Sequence, residues 1–301
     1  MAVAGVLAAG AAASSAAWAQ TAQAASWPTK PVRILVGFPA GSTPDSAART
    51  LADGLSKVLG QPVVVENKAG ASGNIAADLV AKATDDHTLG VLINGNLTSA
   101  KLLYPQLPYD PARDFAFLSL IATSPLALVG AASVPDGADF FSAAVKGGGQ
   151  WNYGSVGNGS VAHLGMEWLK SKVKGLSPLH VPFQGNPAVI TGLLGGQIQM
   201  ALVPPGLALP HVKAGKLKMI GLTSGRSALA PEVQPLAALG VKDFNLEVWT
   251  ALVGPVKLSK AAQDRLSQEV PALLKPTRAS TRRTNFTKKE NFLKPSPLMK
   301  N

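Results

Sequence analysis

The sequence contains no cysteine, and this absence excludes several chemistries. Thiol catalysis, disulfide bonds and cysteine-based metal sites are impossible, so the hydrophobic core alone must hold the fold. Aromatic residues make up only 6% of the chain and charged residues 15%, whereas 47% are hydrophobic. This composition is typical of a packed protein, and 301 residues permit one or two domains. Thirty glycines and 23 prolines predict many tight turns, with function carried on loops.

Motifs of the common enzyme classes are also missing. The four histidines show no metal-binding spacing such as H-E-x-x-H, and no serine stands in a Gly-x-Ser-x-Gly elbow. Asp45 and Glu167 supply carboxylates for an acid–base pair, but nothing in the sequence brings them together. A secreted hydrolase stays an alternative, because convergent sites are poorly excluded by sequence. We predict no catalytic residue, no metal and no cofactor.

The net charge of +11 is concentrated at one end of the chain. The residues from Pro271 to Asn301 include eight lysines or arginines and one glutamate, so +7 of the charge lies there. The basic character therefore belongs to the tail and does not indicate a nucleic-acid-binding domain. We predict no nucleic-acid partner.

The N-terminus resembles an export signal. Ala2 to Ala17 are all small or aliphatic, in a run too short to predict a membrane span. Ala17-Trp18-Ala19 predicts a signal peptide over residues 1–19, with an alternative cut after Ala25. No lysine or arginine precedes Lys30, and a hydrophobic helix that stays attached is the alternative. Export predicts a periplasmic protein without a further membrane span.

Past this segment, short apolar runs alternate with helix-like patterns, which predicts parallel α/β units. Strands are predicted at 32–38, 63–66, 89–93, 126–130, 151–153, 197–203, 218–223 and 248–253. Helices are predicted at 44–59 with Thr43 as its cap, at 74–82, 139–145 and 160–173, from 186 with Asn186 as its cap, and at 259–274.

The strongest local signal is the stretch from Gly37 to Asp45, where a strand ends, a turn of small residues follows and a helix begins. Such a turn leaves backbone N–H groups beside the positive helix end, which favours an anion site. Ser42 and Thr43 add hydroxyl donors. An ordinary turn capped by Thr43 explains the same residues. The stretch lacks the sequences of a P-loop and of a dinucleotide fingerprint.

A second strand–loop–helix junction runs from Gly157 to His163. Ser160 is placed to cap the helix, and His163 follows on the same side of the first turn. A capping serine with a packed histidine is the alternative interpretation. Ligands of open α/β sheets bind beyond the carboxyl ends of the strands. Two domains facing each other would therefore place both helix ends on one anionic solute, which suits capture of a carboxylate in a hinged cleft.

Six stretches follow one another in an order that is found in a known family. They are Trp27-Pro28 with Pro31 to Val36, Phe38 to Asp45, Gly60 to Asn74, Tyr109-Asp110-Pro111 with Asp114-Phe115, Gly157 to His163, and Leu194 to Ile198. Together they resemble the receptors of tripartite tricarboxylate transporters, the TctC or Bug type, from about Trp27 to Leu274.

The resemblance implies an α/β, two-domain periplasmic-binding-protein fold (type II-like) with a ligand cleft between the domains. Domain 1 would be discontinuous, formed by residues 27–126 plus 224–274, and domain 2 by residues 127–223. The implied function is that of an extracytoplasmic receptor, not an enzyme, which captures a small carboxylate solute and delivers it to integral-membrane transporter subunits. A sensor for a membrane signalling system is the alternative, and we expect a monomer.

Carried over position by position, the resemblance implies ligand contacts in both loops and at two strand ends. They are Ala40, Gly41, Ser42, Thr43 and Asp45 in the first loop, Gly157, Ser160 and His163 in the second, and Asn94 and Pro205 at strand ends.

The chain departs from the family pattern in two places. Ser42 stands where the family usually has a second glycine, and a side chain there narrows the loop. Residues 275–301 are basic and unpatterned, where the family continues with a helix, a strand and a final helix. We interpret them as a disordered tail produced by a reading-frame shift. The alternative is a basic tail that touches an anionic membrane surface or the transporter.

Overall fold

The computed structural model describes residues 27–275, so the predicted signal peptide and all but the first residue of the predicted tail lie outside the described residues. Within this range the strands are β1 (Val32–Val36), β2 (Val63–Asn67), β3 (Thr88–Ile93), β4 (Phe115–Pro125), β5 (Ala127–Ala131), β6 (Asn152–Ser155), β7 (Leu179–Pro182), β8 (Met200–Val203), β9 (Leu217–Leu222) and β10 (Glu247–Pro255). The α-helices are α1 (Thr43–Leu59), α2 (Asn74–Ala81), α3 (Asn94–Leu97), α4 (Ala100–Leu103), α5 (Gly137–Gly147), α6 (Val161–Lys172), α7 (Asn186–Leu194), α8 (Pro205–Lys213) and α9 (Lys260–Leu274).

The strands form two five-stranded mixed sheets, ordered β2-β1-β3-β10-β4 and β7-β6-β8-β5-β9. Strands β1 to β3 are parallel in the first sheet, as are β6 to β8 in the second. In contrast, β10 and β5 run antiparallel to both of their neighbours. The prediction of parallel units was therefore incomplete, because a hydrophobic run does not encode the direction of its strand.

The first sheet is buried on both faces. Ile34 of β1 packs with Leu55 of α1 and Leu266 of α9 in one core. Leu35, the next residue, points to the opposite face and packs with Val80 of α2 in another. Alternate side chains of a strand face opposite sides, so an uninterrupted apolar run such as β1 requires cover on both. Each such fully buried side chain contributes roughly 1.5–3 kcal/mol.

The second sheet also lies between two cores. Phe140 of α5 and Met166 of α6 pack on one face, and Val189 of α7 packs on the other. Leu236 and Phe244, between β9 and β10, join the core of α5 and α6. Part of the segment after residue 224 therefore packs with the second sheet, and the predicted return to domain 1 at residue 224 stays a prediction.

The chain crosses between the sheets twice, from β4 to β5 and from β9 to β10. Thr223 joins the two crossings. Its fully buried hydroxyl accepts the N–H of Leu126 at 2.9 Å and lies 2.6 Å from the Leu246 carbonyl oxygen and 3.1 Å from that of Leu126. The backbone adds bonds from Thr223 N–H to Leu126 and from Leu246 N–H to Thr223, each 2.9 Å. Thr223 therefore holds the two crossing segments together through hydrogen bonds to both.

The helix starts correct two predictions and confirm a third. Ser42, not Thr43, is the N-cap of α1, and Gly185, not Asn186, is the N-cap of α7. Ser160 caps α6 as predicted, since its hydroxyl accepts the N–H of His163 at 3.2 Å. No helix among residues 27–275 is long and apolar enough to cross a membrane.

Candidate functional site

The first loop connects β1 to α1. Gly41 has φ +78°, a left-handed conformation that glycine adopts without strain, and it turns the chain back toward the helix. Ser42 N–H donates to the Pro39 carbonyl at 3.2 Å. The Ser42 side chain is 1% exposed, and its hydroxyl has no hydrogen-bond partner in the described part of the chain. A buried hydroxyl without a partner is costly, so a solute atom is a natural acceptor or donor for it.

Asp45 supports this loop from behind. Its carboxylate accepts the N–H of Gly41 at 2.9 Å, the Asn67 amide at 2.8 Å and the Arg49 guanidinium at 2.9 and 3.1 Å. Burial would raise the pKa of Asp45, but the hydrogen bonds from Arg49, Asn67 and Gly41 outweigh it and hold the pKa below its ordinary value. Both oxygens are thus engaged with the protein, and the expected contact of Asp45 with a ligand has no free oxygen to make it.

The second loop connects β6 to α6. Gly157 and Gly159 have φ of +116° and +77°. The Nδ1 atom of His163 accepts the N–H of Gly159 at 3.2 Å, and the Ser155 hydroxyl accepts the N–H of Gly157 at 3.1 Å. His163 therefore lies behind the loop and fixes its course.

A column of rings packs behind the second loop. The ring of His163 lies 4.4 Å from that of His180, which stacks on Tyr153 at 4.9 Å. His180 Nε2 lies 2.7 Å from the Ser155 hydroxyl, so His163 holds the loop directly and His180 contacts the hydroxyl that holds Gly157. Burial lowers the pKa of His163 and lowers that of His180 to about 4, which keeps both rings neutral near pH 7.

Charged groups border this column at its far end. The Tyr153 hydroxyl donates to Glu167 at 2.6 Å, and Lys170 pairs with Glu167 at 2.9 Å. Burial would raise the pKa of Glu167, but the bonds from Tyr153 and Lys170 outweigh it and lower the pKa. Glu167 is thus engaged here and Asp45 with Arg49, so the two carboxylates do not form the acid–base pair that the hydrolase alternative requires.

Both loops line one cavity between the sheets, which has a volume of about 50 Å³ in this conformation. The N–H of Thr43 at the start of α1, and those of Val161 and Ala162 at the start of α6, have no partner among the described residues. Two helix N-termini thus offer free donors to the same space, although no charged side chain lines it. Its walls are Phe38, Ser42, Thr43, Pro44, Ile93, Leu126, Val156, Ser160, Val161, Ala162, Asn186, Leu202, Pro204, Val248 and Thr250.

A second, more polar cavity adjoins the first at Val156, which lines both. Gly157 and Asn158 line it from one side, and residues 70–73 and Tyr104 from the other. Beside it the loops touch directly: the Tyr104 hydroxyl donates to the Asn158 carbonyl at 2.8 Å, and the Ser99 hydroxyl donates to the Gly159 carbonyl at 3.1 Å. The cleft is therefore closed in this conformation.

The expected ligand contacts fall into three groups. Ser42, Thr43 and Ser160 line the first cavity and Gly157 lines the second. Asp45 and His163 support the loops from behind. Neither cavity is lined by the remaining four, Ala40, Gly41, Asn94 and Pro205.

Asn94 is nevertheless close to the crossing strands. Its amide donates to the Glu247 carbonyl at 3.2 Å, and its buried Oδ1 has no partner among the described residues. At the other strand end, Pro204 lines the cavity in place of Pro205.

The sequence analysis missed most of the apolar wall. Ile93, Leu202 and Val248 belong to strands that it predicted, and Leu126 stands at a crossing. The rule that ligands bind at strand ends could have found Ile93 and Leu202. Leu126 and Val248 enter the wall only because the chain crosses between the sheets there, and a local pattern carries no such signal.

This architecture, with two α/β units, two crossings and a cleft lined by both loops, defines a two-lobed solute-binding protein. The model of the tripartite tricarboxylate transporter family receptor matches residues 47–285, and the chain belongs to that family. The match runs past Leu274, where we expected the resemblance to end. Members of the family are solute-binding proteins, so the chain is a receptor and not an enzyme.

Sequence relatives agree with this assignment. The chain is 36% identical over 243 residues to a UPF0065 protein of Cupriavidus necator, which covers 79% of this chain and 73% of that protein. It is 33% identical over 234 residues to protein BugT of Bordetella pertussis, covering 76% of this chain and 72% of BugT.

Solved structures confirm the fold as that of a periplasmic binding protein. MatC from Rhodopseudomonas palustris, solved with bound malate, has a TM-score of 0.79 at 30% identity, covering 85% of this chain and 88% of MatC. Another protein from R. palustris, solved with adipate, has a TM-score of 0.81 at 29% identity, covering 85% of this chain and 87% of that one. Among residues 27–275, no group of three or more histidines or acids is placed to hold a metal.

Proposed function

We propose that the protein captures a small carboxylate in the cleft and delivers it, in the periplasm, to integral-membrane transporter subunits. The observation that carries the proposal is the convergence of two helix N-termini on one cavity. Ser42, Thr43, Val161 and Ala162 line it, and the N–H groups of the last three and the buried hydroxyl of Ser42 have no partner among the described residues. Such groups stabilise an anion through short, directed hydrogen bonds and the helix dipole.

Uncharged donors suit a receptor that must also release its solute. A buried ion pair with lysine or arginine would carry a large desolvation cost on binding and leave an unpaired charge on release. Neutral N–H and hydroxyl donors lose only hydrogen bonds when the anion leaves, and water replaces them. The two loops come from different sheets, so separating the sheets would dismantle the anion site.

Relatives support the solute class, and the sequence supports the location. MatC binds malate, and a second neighbour was solved with adipate, both of which are small carboxylates. The predicted signal peptide, residues 1–19, would export the chain to the periplasm as a monomeric receptor. Membership of the tripartite tricarboxylate transporter family receptor family supports delivery to a transporter.

Thermal unfolding of the mature protein against matched acids and amides tests this function. A ligand at about a hundredfold over its Kd adds roughly 2.7 kcal/mol of stability. We expect at least one of succinate, adipate, hexanoate and benzoate to raise the melting temperature, whereas its amide does not. Equal shifts for an acid and its amide, or no shift with any acid, would contradict carboxylate capture.

A further inference from the structure

The walls of the first cavity are hydrocarbon over most of their extent. Ten of its fifteen lining residues are apolar, and none is Asp, Glu, Lys, Arg or His. Phe38, Ile93, Leu126, Val156, Leu202 and Val248 form the part of this wall that lies outside the helix starts. Leu126 and Leu202 are almost fully buried.

The polar groups of the same cavity are concentrated at the two helix starts. Ser42 and Thr43 belong to the start of α1, and Ser160, Val161 and Ala162 to the start of α6. Away from these ends, only Asn186 and Thr250 bring polar side chains. A solute whose carboxylate meets the helix starts must therefore lay the rest of its body against apolar side chains.

A solute with a polar body would bind weakly against this apolar wall. A hydroxyl or an ammonium group that enters an apolar site leaves its water and finds no partner, which costs affinity. A hydrocarbon body gains affinity for each methylene group that it removes from water.

We propose, on the basis of the proposed function, that the solute is an acid with a hydrocarbon body, aliphatic or aromatic, and not a hydroxylated or amino acid. Ser42 lines the cavity, and its buried hydroxyl has no partner among the described residues, which supports reception of a polar end of the solute at the start of α1.

Calorimetric titration with matched pairs of acids tests the inference. Hexanoate and gluconate each have six carbons and one carboxylate, and succinate and malate differ by one hydroxyl. We expect the hydrocarbon member to bind about tenfold or more tightly in each pair, the range expected for an unpaired hydroxyl in an apolar site. Tighter or equal binding of gluconate and malate would overturn the inference and leave carboxylate capture intact.

A variant tests the wall directly. Val248→Thr keeps the shape of the side chain and adds one hydroxyl to a half-buried strand position that tolerates threonine. We expect the variant to bind hexanoate about tenfold more weakly. The difference in affinity between hexanoate and gluconate should therefore become smaller. Val64→Thr, at a strand position 47% exposed that lines neither cavity, is the matched control and should leave both affinities unchanged.

The outcomes separate the two proposals. Unchanged selectivity in Val248→Thr, with the protein still melting cooperatively, would show that the wall does not select the solute. Binding of hexanamide as tightly as hexanoate would contradict carboxylate capture itself. Failure of every acid and amide to bind would overturn both.

Discussion

The two loops of the cleft follow similar backbone courses, but a charged carboxylate holds the first and neutral side chains hold the second. Each follows a strand, turns at a glycine with positive φ and ends at a serine N-cap. The first is held by the Asp45 carboxylate, which is paired with Arg49. The second is held by Ser155 and the neutral ring of His163. The comparison shows that two similar loops can present similar helix N-termini although different kinds of side chain hold the loops in place.

The difference lies in how each support responds to its surroundings. The Asp45 carboxylate accepts three hydrogen bonds and pairs with Arg49, and these contacts hold its pKa below the ordinary value of a carboxylate. A neutral imidazole accepts a hydrogen bond only while its nitrogen is unprotonated, so its support is lost under milder acid. Substitutions and pH can therefore remove one support at a time.

Asp45→Ala should have the largest effect. The change removes the acceptor for the Gly41 N–H and the Asn67 amide, which make part-buried hydrogen bonds, and leaves Arg49 without its carboxylate. We expect a loss of roughly 2–3 kcal/mol in the free energy of unfolding, measured with urea, and weaker acid binding. Asp264→Ala removes an exposed partner of Lys260 and is the control, with no measurable change expected. Equal losses in the two variants would refute a special role for Asp45.

Substitution of His163 should have a smaller effect that depends on the replacement. His163→Phe keeps a ring beside His180 but removes the acceptor for Gly159, whereas His163→Asn places an oxygen near the position of Nδ1. We expect about a fivefold to tenfold loss of acid affinity in the phenylalanine variant, which corresponds to one hydrogen bond. Hydrogen exchange of the Gly159 amide should accelerate in the phenylalanine variant and stay slow in the asparagine variant. Equal exchange in both would show that the histidine acts only through packing.

Mild acid should distinguish the two loops without any substitution, because it acts on the histidines behind the second loop and leaves the Asp45 carboxylate charged. The pKa values of His163 and His180 are lowered in the fold, so between about pH 6.5 and pH 4 the unfolded chain binds more protons than the folded one. Stability should therefore be fully present above this window and fall as the pH drops through it. The lowered pKa of Asp45 places the loss of its support below that window.

A variant with His163→Asn and His180→Gln isolates this contribution. His87 also has a pKa lowered by burial, so some dependence of stability on pH below pH 6.5 remains in both proteins. We expect the decrease in the free energy of unfolding from pH 6.5 to pH 4 to be smaller in the variant than in the parent. Parallel curves would mean that the ring column does not couple to folding.

The elements with strong local signals were predictable from sequence. Pro44 and Gly60 mark the two ends of α1, and the prediction ended it at Leu59 as the structure does. β4 was missed, since Phe117 and Leu120 are exposed and two irregularities in its pairing with β10 interrupt the alternation. β7 has only four residues, which is too short for a periodic pattern.

The candidate site was predictable at its loops but not at its supports or walls. Asp45 was expected to contact a ligand because the family resemblance, carried over position by position, includes it in the first loop. Its orientation is set by Asn67, which is 22 residues away in sequence and reaches it only through the pairing of β1 with β2. Likewise, the contact of His163 with His180 depends on the pairing of β6 with β7. These contacts depend on strand pairing, and the sequence around each residue gives no sign of them.

The hydroxyl of Thr223 has one hydrogen and two carbonyl oxygens within reach, those of Leu246 and Leu126. A hydroxyl hydrogen rotates freely about the C–O bond, so it can pass from one acceptor to the other without leaving its own oxygen buried and unpaired. If the two crossings change their spacing, the Thr223 hydroxyl can therefore donate to whichever of the two carbonyl oxygens stays within reach.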